Sequence, residues 1–97
     1  MPAGGRHAVK TLSDLTRRVG AAIRRQRKRL GFSQEAFADH IGMHRAYYGA
    51  LERGEKNMQL TTLERVARGL GVLEQDLIAE AEAMGRADAA APTRAVE

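Results

Sequence analysis

Apolar residues recur along this chain at spacings of three and four, interrupted at intervals by glycine, and the pattern predicts a series of short amphipathic helices. In the first, Leu12, Leu15, Val19, Ala22, Ile23 and Leu30 define one face. Thr11 or Ser13 supplies its cap, and Gly31 ends it in the left-handed conformation. Residues 1–10 are Gly- and Ala-rich, lack periodicity and read as a flexible lead. Ser33 is a favourable N-cap for a second helix reaching Ile41, with Gln34 and Glu35 in its first turn and Phe37, Ala38 and Ile41 facing inward. Gly42 breaks it. A third helix is expected from about His44 to Arg53, with Tyr48 and Leu51 inward and Gly54 as its stop. After a polar connection, Thr61 or Thr62 opens a fourth helix with Leu63, Val66, Ala67 and Leu70 on one face, ended by Gly71. Leu73 to Met84 forms a fifth, with Leu77, Ile78 and Ala81 in one stripe. Residues 85–97 show no apolar pattern and read as a frayed tail. The fold class is therefore all-α: a compact five-helix bundle over residues 11–84 between a flexible lead and a flexible tail.

A chain of 97 residues has room for one domain and one modest core. Aromatic residues make up only 4%, so that core is built from Leu, Ile, Val, Ala and Met, a set that suits packed helices better than a sheet. There are no cysteines, which excludes a disulfide framework and any thiolate metal site. No run approaches the roughly 18 apolar residues of a membrane span, and the first ten residues lack the apolar segment of a secretory signal. The expected location is the cytoplasm, with no membrane partner. Charge is distributed unevenly. Residues 1–72 hold 14 Lys/Arg against 6 Asp/Glu, a balance of +8, whereas residues 73–97 hold 2 against 6, a balance of −4. A basic body with an acidic end points to a polyanionic partner.

The stretch from Ser33 to Gly54 carries the most information. Two short helices meet at a tight turn on Gly42, which can take the positive φ such a turn needs. Ala38 is small where the helices would cross. Ile41, Tyr48 and Leu51 would anchor the second of the pair, leaving its N-terminal end outward with Arg45, Ala46 and Tyr47 presented. A helix of this size fits the DNA major groove with its first residues against base edges.

These residues resemble the phage repressor/Cro type of helix-turn-helix, the Xre-like family, over roughly Val19 to Leu77. The resemblance rests on Ile23-Arg-Arg-Gln-Arg-Lys-Arg-Leu30, Ser33-Gln-Glu with Phe37-Ala38, Gly42, Leu51-Glu-Arg-Gly54, Asn57, and Leu63 through Ala67 to Leu70-Gly-Val72. The segment His44-Arg-Ala-Tyr-Tyr48 is similar to restriction–modification controller proteins, which typically carry Thr or Ser where this chain has Ala46. The resemblance implies a five-helix domain of the phage repressor type that binds double-stranded operator DNA as a homodimer. It implies that Gln34 contacts a phosphate, that Arg45, Ala46 and Tyr47 face bases, and that Ala50 lies one turn further on. It also implies a partly buried ion pair between Arg27 and Glu52. Arg27 would then be structural despite its place in a basic run, with Arg24 and Lys28 as candidate phosphate contacts and Arg25 and Arg29 adding only field.

Competing readings remain for several residues. His40 and His44 are four apart beside Asp39, yet Gly42 separates them and no third ligand set accompanies them, so no metal site is expected. His44 is expected to cap or flank the third helix near a phosphate. Tyr48 is read as core with its hydroxyl at the edge, Tyr47 as exposed. Leu73, Leu77 and Ile78 either close the core or form a dimer patch; the dimer contact is placed at Val72, Leu73, Leu77 and Ile78, at the start and middle of the fifth helix. No nucleophile–base pattern, phosphate-cradling loop or carboxylate pair indicates an enzyme, and no cofactor is implied. The expected function is a sequence-specific transcriptional regulator. The alternatives are an antitoxin with a protein partner, or an interaction adaptor that does not bind DNA.

Overall fold

The computed structural model describes the backbone of residues 2–96 and the side chains of residues 14–88. Five helices follow in order: α1 (Pro2–Arg29), α2 (Gln34–His40), α3 (Arg45–Glu52), α4 (Leu60–Leu70) and α5 (Glu74–Val96). The all-α five-helix reading holds, and the differences lie at the helix ends.

Helix α1 begins at Pro2, not at Thr11 or Ser13. Proline suits the first helical turn, where its missing N–H costs nothing, and no later proline interrupts the segment. The side chains of Leu12 and of the suggested caps Thr11 and Ser13 lie outside the described residues. At the other end the backbone leaves the helix after Arg29, and Gly31 turns at φ 83°. Leu30 is thereby carried off the apolar face and is 52% exposed. Helix α4 starts at Leu60 because Gln59 already holds the extended cap conformation, so Thr61 and Thr62 lie in its first turn.

Helix α5 also departs from the sequence pattern at both ends. Leu73 stands just before it, its N–H donating to Asp76 Oδ2 at 3.1 Å. The helix then passes Met84 and continues to Val96. Gly85 does not stop it, and the alanines that follow are strong helix formers. Gly85 instead admits a close neighbour: a Cβ there would lie 3.1 Å from the Arg18 guanidinium. Arg18 Nε donates to the Ala81 carbonyl at 3.1 Å, tying α1 to α5.

The core is the one the periodicity marks. Val19, Ala22 and Ile23 of α1 meet Phe37 and Ala38 of α2, Tyr48 of α3, Leu63, Val66, Ala67 and Leu70 of α4, and Leu77 and Ala81 of α5. Leu15, Ile41, Val72 and Ile78 pack against it while remaining partly exposed. Leu77 is fully buried, so of the two readings left open for it the core is correct.

Candidate nucleic-acid interface

Helices α2 and α3 are held as a pair by their caps and by the turn between them. Ser33 Oγ accepts the Ala36 N–H at 3.0 Å, closing the first turn of α2. At its far end Gly42 adopts φ 68°, and Met43 N–H returns to the Ala38 carbonyl at 2.8 Å. A Cβ residue at position 42 would hold that conformation only under strain. His44 Nδ1 then accepts the Ala46 N–H at 3.3 Å, so His44 is the N-cap of α3. His40 belongs to a different cluster, its ring stacked on Phe32 at 5.1 Å. Inside the pair, Ala38 is 1% exposed and the Phe37 and Tyr48 rings lie 5.3 Å apart.

This packing fixes which side of α3 is free. Tyr48 and Leu51 are fully buried, whereas Arg45, Ala46 and Tyr47 are exposed at the N-terminal end. Ala50 is a correction to the expected face: at 7% exposure it is turned away from solvent. Gly49 is buried as well, and it lines a groove between the helices together with the exposed Arg53 and with Ser33, Gln34, Glu35, Arg45 and Ala46. A Cβ at Gly49 would come within 3.1 Å of both Gln34 Oε1 and Arg53 Nη1. The spacing Arg45, Gly49, Arg53 is one helical stripe and was readable in the sequence. Across the groove Arg45 Nη1 lies 3.1 Å from Glu35 Oε2.

A buried polar cluster sits beneath the groove. Arg27 Nε donates to Glu52 Oε2 at 2.7 Å and Nη2 to Oε1 at 3.0 Å, and Nη1 donates to the Phe32 carbonyl at 2.8 Å. The Tyr48 hydroxyl also donates to Glu52 Oε2, and is therefore buried rather than at the edge. Gln34 Nε2 donates to Glu52 Oε1 at 2.9 Å, so one side of its amide is committed to α3 instead of being free for a phosphate. Burial pushes the Glu52 carboxyl up, but hydrogen bonds from Arg27, Tyr48 and Gln34 and the Arg27 charge outweigh it and hold the group below the usual carboxylate value. The hydrogen bond to Glu52 raises Arg27, and burial followed by the bond to Glu52 raises the Tyr48 phenol. All three thus keep their ordinary charge states near neutral pH.

The remaining basic residues divide between solvent and the α1–α5 contact. Arg24 and Lys28 are exposed on α1. Arg25 pairs with Glu80 at 3.3 Å, and Gln26 donates to the same carboxylate at 3.1 Å. Among the described residues, no helix is long and apolar enough to cross a membrane.

A capped helix, a glycine turn and a second helix with a free N-terminal end define a helix-turn-helix DNA-binding domain. The Helix-turn-helix family model matches residues 23–77, and this chain belongs to that family, in its Xre-like branch. Control protein C.MunI from a Mycoplasma species is 35% identical over 72 residues, covering 73% of this chain and 97% of that protein. The crystal structure of the restriction-modification controller protein C.AhdI from Aeromonas hydrophila is similar with a TM-score of 0.61 at 34% identity, over 66% of this chain and 96% of that one. The clp gene regulator ClgR from Corynebacterium glutamicum superposes with a TM-score of 0.77 at 30% identity, over 84% of this chain and 86% of that one. The protein is a DNA-binding transcription regulator.

Proposed function

We propose that this protein reads a specific operator through the N-terminal end of α3 and does so as a homodimer. The observation that carries the reading is the free end of α3: Arg45, Ala46 and Tyr47 are exposed, while the rest of the helix is clamped by the core and by Glu52. Arg45 is the base reader, its planar fork matching guanine O6 and N7 with a discrimination of about 1–3 kcal/mol. Tyr47 contacts a thymine methyl or a phosphate. His44 and the second N–H of the Gln34 amide face the DNA backbone, and Arg24 and Lys28 add phosphate contacts. The names of the matched relatives, control proteins and gene regulators, favour regulation over the antitoxin and adaptor readings. In this reading the chain acts on DNA rather than as an enzyme, in the cytoplasm. Arg45→Ala should leave the melting temperature unchanged while removing preference at one base position, as read by selection from random duplexes. Loss of folding in that variant would assign Arg45 to the scaffold instead.

One recognition helix reads few base pairs, so two subunits would address half-sites roughly 34 Å apart. Of the residues assigned to the dimer contact, Leu77 serves the core and Val72 and Ile78 lean on it, which leaves Leu73 at 57% exposure. Leu60, which the sequence pattern did not single out, is 82% exposed and borders a shallow groove with Leu63 and Glu74. The dimer contact is therefore assigned to the start of α4 and the residue before α5. Such a patch is small and implies concentration-dependent association. Leu73→Glu should give a folded monomer by sedimentation, with weakened operator binding. An unchanged dimer would place the contact elsewhere.

A further inference from the structure

Glu35 sits in the first turn of α2 and faces Arg45, the first residue of α3, across the groove between the two helices. Its Oε2 lies 3.1 Å from Arg45 Nη1, and both side chains are mostly exposed. We propose that Glu35 is a positioning residue for DNA reading: its carboxylate holds the Arg45 guanidinium in the orientation that presents the remaining donors to guanine. This rests on the reading of α3 as the base-contacting helix.

The chemistry follows from the shape of the two groups. An arginine at a helix N-terminus has many rotamers, and only those that place two donors in the plane of a base edge discriminate among bases. A carboxylate anchored on the neighbouring helix restricts that choice. Nη1 is occupied by Glu35, so Nε and Nη2 form the free edge. In water the pair contributes little. When DNA covers the groove, the local dielectric falls and the same contact becomes stronger. The carboxylate also carries a cost, because it faces a polyanion whatever the sequence. Glu35 therefore lowers affinity for any duplex and raises the difference between right and wrong ones. Both effects favour specificity over tightness.

Asp39 provides the control. It is exposed one turn further along α2, carries the same charge and has no ion pair with Arg45. The experiment compares wild type, Glu35→Gln, Asp39→Asn and Arg45→Ala. For each, affinity is measured for the preferred duplex obtained by selection from a random pool, and for the same duplex with the guanine assigned to Arg45 replaced. Thermal melting checks that each variant is folded. Glu35→Gln should bind the replaced duplex more tightly than wild type does, and its specificity ratio should fall about three- to tenfold. Asp39→Asn should tighten both affinities alike and keep the ratio. A ratio in Glu35→Gln equal to that of Asp39→Asn would overturn the proposal, because Glu35 would then act through net charge alone. If Arg45→Ala loses the preference while Glu35→Gln retains it, the positioning role fails and the reading of α3 survives. If wild type prefers no duplex, both fail together.

Discussion

Replacing Glu52 with alanine should destabilise the protein by about 3–5 kcal/mol, a fall in Tm of more than about 10 °C for a domain of this size. The carboxylate is the acceptor at the centre of a buried cluster, taking hydrogen bonds from Arg27, Gln34 and Tyr48. Its side chain is 1% exposed and that of Arg27 is 7% exposed. The loss comes mainly from what remains. Arg27 would keep its charge in a place water barely reaches, and the Tyr48 hydroxyl would lose its acceptor. The cluster also sets a pH dependence. The folded-state pKa of Glu52 lies below the ordinary value of 4.5, so its contribution is complete above about 4.5 and is lost as pH falls through the lowered folded value. Wild type should therefore lose stability in acid partly through this group, and Glu52→Ala should lack that part. A variant that melts like wild type at neutral pH would show that the pair is not holding α1 to α3.

The second large effect is expected at Gly20. Alanine normally stabilises a helix interior relative to glycine by about 1 kcal/mol, yet Gly20→Ala should destabilise this protein by a net ~2 kcal/mol or more. A Cβ at this position would stand 2.6 Å from the Glu52 carbonyl oxygen and nearer still to that of Leu51. Both neighbours are backbone, so no side chain can move aside and α1 must shift from α3. That shift would also strain the Arg27–Glu52 pair, making Gly20→Ala and Glu52→Ala less than additive. Thermal or urea unfolding measures both. An unchanged or higher Tm in Gly20→Ala would show that the two helices do not approach so closely.

Gly20 and Gly85 show where the sequence is silent. A glycine has the same letter whether it ends a helix, as Gly71 does, or admits a neighbour within one. Only the tertiary approach of Leu51 to Gly20, and of Arg18 to Gly85, tells them apart. Core positions such as Ile23, Phe37, Tyr48 and Val66 were legible because burial follows the helical period. The stripe misleads at its ends. Leu73 and Leu77 are four apart, but Leu73 precedes α5 and is exposed, whereas Leu77 lies within it and is buried. The Arg27–Glu52 pair could be named only through the family resemblance, since 25 residues separate its members. The same long-range packing ties Gln34 to Glu52 and turns Ala50 inward, neither of which a local pattern encodes.

The free end of α3, backed by a basic body, should read one duplex in preference to others. The direct measurement is a titration of the wild-type protein against a duplex selected from a random pool and against unselected duplex, at several salt concentrations. Binding to the selected duplex should be tighter at every salt concentration. Log affinity should fall linearly with log salt as counterions are released from the phosphates neutralised by the basic residues. Equal affinity for the two duplexes, or affinity indifferent to salt, would contradict this role of α3.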